Sequence, residues 1–105
     1  MKIGIILTTT DPEKTWNALR FANTANLEGH QVSIFLLGQG VEIENIESAK
    51  FNVKEQLEKF NRLNGTMLAC GTCIQSRQME FGACPISTMK DMLKIVIESD
   101  RVITF

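Results

Sequence analysis

Apolar residues in this chain fall in short continuous runs, separated by stretches whose apolar positions recur at helical spacing. Ile3-Gly4-Ile5-Ile6-Leu7 and Val32-Ser33-Ile34-Phe35-Leu36-Leu37 suit strands buried on both faces. Thr66 to Ala69 and Arg101 to Phe105 read as two more strands. Between the first two runs, Pro12 to about Leu27 is predicted helical, with Asp11 as cap, or with Thr10 as cap and Glu13 closing a capping box. Ala18, Ala22 and Ala25 on one side of it allow close approach to a sheet, and Gly29 is placed to end it. From about Asn52, the spacing of Val53, Leu57, Phe60 and Leu63 predicts a second helix, stopped by Asn64-Gly65. A short helix follows the Cys70-Gly71-Thr72-Cys73 turn, to about Met79. A last one is capped by Ser87 or Thr88, with Met89, Met92, Leu93 and Val96 predicted inward. Val41 to Phe51 shows no clear period, and Glu80 to Ile86 reads as a loop with room for a brief strand.

Strand and helix alternation of this kind predicts an α/β fold, a three-layer α/β/α sandwich around a mostly parallel sheet of four to five strands. The 105 residues are enough for a single domain, 1–105. Right-handed crossovers place the loops Thr8–Asp11, Gly38–Gly40 and Cys70–Cys73 together at the C-terminal edge of the sheet, where ligands and catalytic groups gather. His30, the sole histidine, falls at the opposite edge. A Cys–His pair or histidine-based triad within one subunit is therefore not expected, and His30 reads as a solvent-exposed turn residue.

Charge narrows the function. A net charge of −1 offers no electrostatic case for nucleic acid or anionic lipid. The apolar run after Lys2 is too short for the core of a signal peptide, and no stretch approaches a membrane span. A cytoplasmic chain is expected, and three cysteines in it point to reactive or metal-binding roles rather than a disulfide framework.

The cysteine segment carries the chemistry. A strand followed by a tight glycine turn and a helix would set Cys73 at a helix N-terminus, where exposed N–H groups favour a thiolate. Gly71 and Thr72 serve the turn, with Thr72 placed to cap the helix. Cys70 is either a small core hydrophobe or a second, resolving thiol. Arg77, one turn on from Cys73, is either a solvated side chain or a group that steadies the anion or meets an acidic partner. Cys84, beside Pro85, is either a buried structural cysteine or a second sulfur group near the first. Zinc normally takes four ligands, and Cys70, Cys73 and Cys84 supply three, so no metal site is expected. Gly38-x-Gly40 lacks the third glycine and the position of a dinucleotide fingerprint, so it reads as loop-shaping, and no cofactor is implied. Glu42, Glu44 and Glu47 most simply solvate their segment.

Gly71-Thr72-Cys73-Ile74-Gln75-Ser76-Arg77, after the strand Thr66–Cys70, resembles the cysteine segment of the DsrE/DsrF-like family. Phe35-Leu36-Leu37-Gly38-Gln39-Gly40-Val41 is similar to that family's second-strand segment, and Ser87-Thr88-Met89-Lys90-Asp91-Met92 through Phe105 to its last helix and strand. The resemblance implies a single DsrE-like domain that assembles into homo-oligomers, trimers or hexamers. It also implies kinship with sulfur-relay subunits of the TusD/DsrE type, some of which carry sulfur as a persulfide on one cysteine after the third strand. By position that cysteine is Cys73, and the partners implied are sulfur donor and acceptor proteins. Cys70 departs from the family pattern. Three function classes follow: a sulfurtransferase-like persulfide carrier, a non-catalytic subunit or small-ligand binding module, and a C-x-x-C dithiol oxidoreductase. Met79, Phe81 and Ile86, around the cysteine loop, are placed to lie at an interface.

Overall fold

A computed structural model of the chain describes residues 1–80 and 85–105. The strands are β1 (Lys2–Leu7), β2 (Gln31–Leu36), β3 (Thr66–Cys70), β4 (Ile86–Ser87) and β5 (Arg101–Thr104). The helices are α1 (Pro12–Leu27), α2 (Val53–Arg62), α3 (Gly71–Ser76) and α4 (Met89–Glu98). All strand pairings are parallel and the sheet order is β4-β3-β2-β1-β5, so the expected three-layer α/β architecture stands.

That order determines the layers. From β1 to β4 the chain steps one strand at a time in one direction, and right-handed crossovers keep α1 and α2 on one face. The last crossover reverses past the whole sheet to reach β5, which puts α4 on the other face. The alternation of side chains along β1 agrees: Ile5 and Leu7 are wholly buried. Gly4, on the opposite face, lies so near Ile95 and Ser99 of α4 that a Cβ there would stand 2.7 Å from Ser99 Oγ. Ala18, Ala22 and Ala25 are buried as the spacing of α1 predicts.

Local chemistry sets the helix starts. The Asp11 side chain accepts from Lys14 N at 2.9 Å with Pro12 in the first turn, and the Asn52 side chain accepts from Glu55 N at 3.1 Å. At α4 the Asp91 carboxylate accepts from the Thr88 N–H at 3.3 Å and from the Ser87 and Thr88 hydroxyls. The Ser87 and Thr88 hydrogen bonds hold the Asp91 carboxyl below its usual range.

Several expectations are corrected. The segment without clear period begins with a 3-10 helix over Gly38–Asn45, kinked at Glu42. The brief strand for which the Glu80–Ile86 loop has room is the two-residue Ile86–Ser87, which runs one residue beyond that loop. Helix α3 stops at Ser76, short of Met79, because Arg77 closes it and Gln78 takes a φ of 52°. On α4, Met89, Leu93 and Val96 face solvent, 56, 56 and 39% exposed, while Ile95 is the buried residue and Met92 is half-buried. The helix is apolar around much of its circumference, so periodicity alone does not select the face that meets β1. His30 is half-buried rather than exposed, with its Nδ1 buried and unpartnered among the described residues. No helix among the described residues is long and apolar enough to cross a membrane.

Candidate functional site

The parallel sheet brings the ends of β1, β2 and β3 to one edge, and the segments that follow them meet there. Cys70 ends β3 and is the cap residue of α3, with extended backbone (φ −64°, ψ 114°). Helix α3 begins at Gly71 with no separate turn. Thr72 is therefore a helical residue rather than the cap, and Cys73 is the third helical residue. Gly71 packs against the edge strand, where a Cβ would lie 3.0 Å from Ile86 Cγ2 and 3.2 Å from Ser87 O.

Cys73 is half-buried, and its sulfur is reached by a partner that the spacing did not reveal. The Gly38 N–H donates to Cys73 Sγ at 3.3 Å. Gly38 adopts a φ of 57°, a left-handed conformation that glycine takes without steric cost. This bend turns the chain after β2 back across the edge. A thiolate or persulfide anion accepts such a bond more strongly than a neutral thiol does. With only six residues, α3 supplies a weaker axial dipole than a longer helix, so the N–H from the neighbouring loop is the more direct electrostatic feature of the site.

Arg77 makes two contacts that its spacing does not reveal. Its Nε pairs with Glu42 Oε2 at 3.1 Å and its Nη1 donates to the Cys73 carbonyl oxygen at 3.2 Å. It ties the end of α3 to the 3-10 segment, so Glu42 is an ion-pair partner rather than only a solvating side chain. The pair is part-exposed, 30 and 39%, and its value lies in positioning more than in stability. The Ser76 hydroxyl donates to the same Cys73 carbonyl at 2.9 Å.

Cys70 differs from Cys73 first in exposure. It is 2% exposed, and burial pushes its thiol above the ordinary value of 9.0. The N–H groups of Cys73 and Thr72 oppose this, while the neighbouring Cys73 sulfur adds to it. The two side chains are thus close enough to interact, and both are free thiols. Two results are expected. Iodoacetamide at neutral pH should alkylate Cys73 well before Cys70, as read by peptide mass mapping; equal rates would contradict the burial. The folded value of Cys70 lies above the unfolded one, so its contribution to stability is complete below pH 9.0 and is lost as pH rises through the raised value. Denaturation midpoints should therefore fall on that alkaline limb, and Cys70→Ala should flatten it.

Cys84 and Phe81 lie outside the described residues. Among the described residues no group of three or more His, Cys, Asp or Glu side chains is placed to hold a metal ion. Cavities of about 490 and 510 Å³ open at the opposite sheet edge, the first lined by Asn26, His30, Ser33, Asn64 and Thr66 among others, and Cys73 lines neither.

Three similarities bear on what this arrangement is. The chain is 36% identical over a 114-residue alignment to the uncharacterized protein MJ0989 of Methanocaldococcus jannaschii, with all of both chains covered. It is 36% identical over 101 residues to the uncharacterized protein MK0008 of Methanopyrus kandleri, covering 89% of this chain and 83% of that one. In fold it is similar to the solved structure of the conserved protein of unknown function BT1422 from Bacteroides thetaiotaomicron. The TM-score is 0.78 at 15% identity, with 99% of this chain and 94% of that one covered, a likeness of fold alone. The family model for the DsrE/DsrF-like family matches residues 1–105, and the chain belongs to that family.

Proposed function

We propose that this protein carries sulfane sulfur as a persulfide on Cys73 and passes it to a partner thiol. The observation that supports this most is the Gly38 N–H directed at a half-buried, reachable cysteine sulfur. Membership of the DsrE/DsrF-like family agrees with it. In the loading step, the Cys73 thiolate attacks the outer sulfur of a donor persulfide. The donor S–S bond breaks and the donor thiol leaves with the electron pair, giving Cys73–S–SH. In the transfer step an acceptor thiolate attacks that outer sulfur and Cys73 is released as thiolate. Gly38 supplies a hydrogen bond to the sulfur, Arg77 and Ser76 hold the backbone of Cys73, and Gly71 allows the close packing on β4. Donor and acceptor proteins are the proposed partners, Cys73 standing among the loops at the C-terminal edge of the sheet.

The test is intact-protein mass spectrometry after exposure to a cysteine desulfurase and cysteine. A gain of one sulfur mapped to the Cys73 peptide is expected. No change of mass would sink the reading in favour of a non-catalytic subunit, and loss of two hydrogens in the wild type with no sulfur gained by Cys70→Ser would favour a dithiol oxidoreductase.

The carrier is proposed to work as a homo-oligomer. Met89, Leu93, Val96 and Ile97 form one stripe along α4 and are between 39 and 72% exposed, a contiguous apolar face of the kind that serves as an interaction surface. This moves the expected interface from the cysteine loop toward α4, although Ile86 is also exposed, at 58%. Light scattering on the eluting protein should give a multiple of the 11.8 kDa chain mass, and Leu93→Glu should shift it toward monomer. A clean monomer for the unaltered chain would remove the assembly claim.

A further inference from the structure

We propose that Cys70 gives this chain a second outlet for its sulfur: reductive discharge as hydrogen sulfide, with formation of a Cys70–Cys73 disulfide. The inference rests on the carrier reading above and adds a fate for the sulfur when no acceptor thiol is bound.

The geometry is local and does not depend on any other segment. Cys70 is the cap residue of α3 and Cys73 its third helical residue. These are the two positions that a capping box links, each side chain lying beside the other residue's backbone N–H. Here both are cysteines, both free, with side chains in interaction range. Residues three apart in a helical turn have Cβ atoms about 5–6 Å apart, and a disulfide needs them at about 3.5–4.5 Å. A small adjustment of one turn closes the gap. Burial separates the two thiols. Cys70 is 2% exposed and Cys73 half-buried, so an external thiol meets Cys73 first. Cys70 is held within one turn of Cys73 and displaces the outer sulfur by thiol–disulfide exchange at Cys73 Sγ.

The step balances without an external reagent. The Cys70 sulfur forms a bond to Cys73 Sγ, the bond from Sγ to the outer sulfur breaks, and the electron pair leaves with the outer sulfur. The Cys70 proton ends on the leaving group, so Cys70–SH and Cys73–S–SH give the disulfide and H₂S. The sulfane sulfur is reduced and the two cysteine sulfurs are oxidised. A further turnover requires a dithiol reductant to reopen the disulfide. The raised Cys70 value keeps most of it protonated at neutral pH, so discharge is slower than transfer to an ionised acceptor thiol. The chain holds its cargo while acceptors are present and releases it as sulfide when they are not.

Sodium tetrasulfide, removed by desalting, serves as the sulfur source. The loaded wild-type chain, Cys70→Ala and Cys70→Ser are then followed in thiol-free buffer by peptide mass mapping and sulfide release. Wild type should lose the added sulfur from Cys73, release one sulfide per chain discharged, and acquire a Cys70–Cys73 cross-linked peptide. Both variants should retain the sulfur at least tenfold longer. Equal lifetimes in wild type and variants, or sulfide without the cross-linked peptide, would overturn the discharge while leaving the carrier reading intact. Failure of every chain to take sulfur at Cys73 would overturn both. The wild-type cross-link is read without any substitution, so a variant that folds poorly does not remove the test.

Discussion

Cys73→Ser should abolish sulfur uptake at this site and leave the fold in place. Among the described residues, the substitution removes the one sulfur nucleophile at the site that is not fully buried. A serine hydroxyl is far too weakly acidic to replace a thiolate, and among the described residues no general base contacts Cys73 to activate it. The buried Cys70 cannot take over, because burial holds its thiol above the ordinary range and out of reach of a large donor. The expected fall in acquired sulfur is at least about a hundredfold, the scale of losing a nucleophile outright. The stability change is expected to stay within about 1 kcal/mol, since the side chain is half-buried and serine also accepts the Gly38 N–H. Mass mapping after donor exposure reads the first quantity and a urea midpoint the second. Sulfur uptake by the variant at the wild-type level would mean that the carrier is another cysteine.

The framework around that site was legible wherever one local rule governs a segment. Asp11 before Pro12 and Asn52 before Val53 announce helix starts because short polar side chains satisfy orphan N–H groups. The runs at Ile3–Leu7 and Val32–Leu36 announce strands covered on both faces. The edge at which Cys73 sits followed from parallel topology alone. What the spacing missed is tertiary. Gly38 lies 35 positions from Cys73 in sequence, and glycine carries no chemical mark that separates loop shaping from presenting an N–H. Arg77 was read by its distance along its own helix, whereas its guanidinium answers to Glu42, also 35 positions away. On α4, Met89, Leu93 and Val96 form an apolar stripe as good as the one that includes Met92 and Ile95. One stripe meets β1 and the other is left exposed, a choice that periodicity alone does not encode.

Gly40→Ala should cost more stability than any other conservative change at this edge. Gly40 is buried, and its position is fixed by two hydrogen bonds that fold the segment after β2 over the end of β1. Leu37 N donates to Leu7 O at 3.0 Å, and Gly40 N donates to Leu37 O at 3.0 Å. A Cβ on Gly40 would stand 2.0 Å from Leu7 O and 2.9 Å from Leu7 C. Those are backbone atoms of a central strand, with no flexible tip to swing aside. Relief requires breaking the Leu37–Leu7 bond or moving the end of β1, and either leaves buried backbone groups unpaired. The loss is expected to be on the order of 3–5 kcal/mol, a large share of the 5–15 kcal/mol by which domains of this kind are stable. For a chain of this size that is a fall of roughly 15–30 °C in Tm, read by circular dichroism. Gly38 makes an internal contrast: a Cβ there meets nothing within 4 Å, so the clash belongs to Gly40 alone. The same displacement would carry the Gly38 N–H off Cys73, so whatever fraction of Gly40→Ala remains folded should also load sulfur more slowly than wild type. A melting temperature within a few degrees of wild type would show that β1 and the loop can part without cost, and the rigid edge on which the cysteine site is built would have to be abandoned.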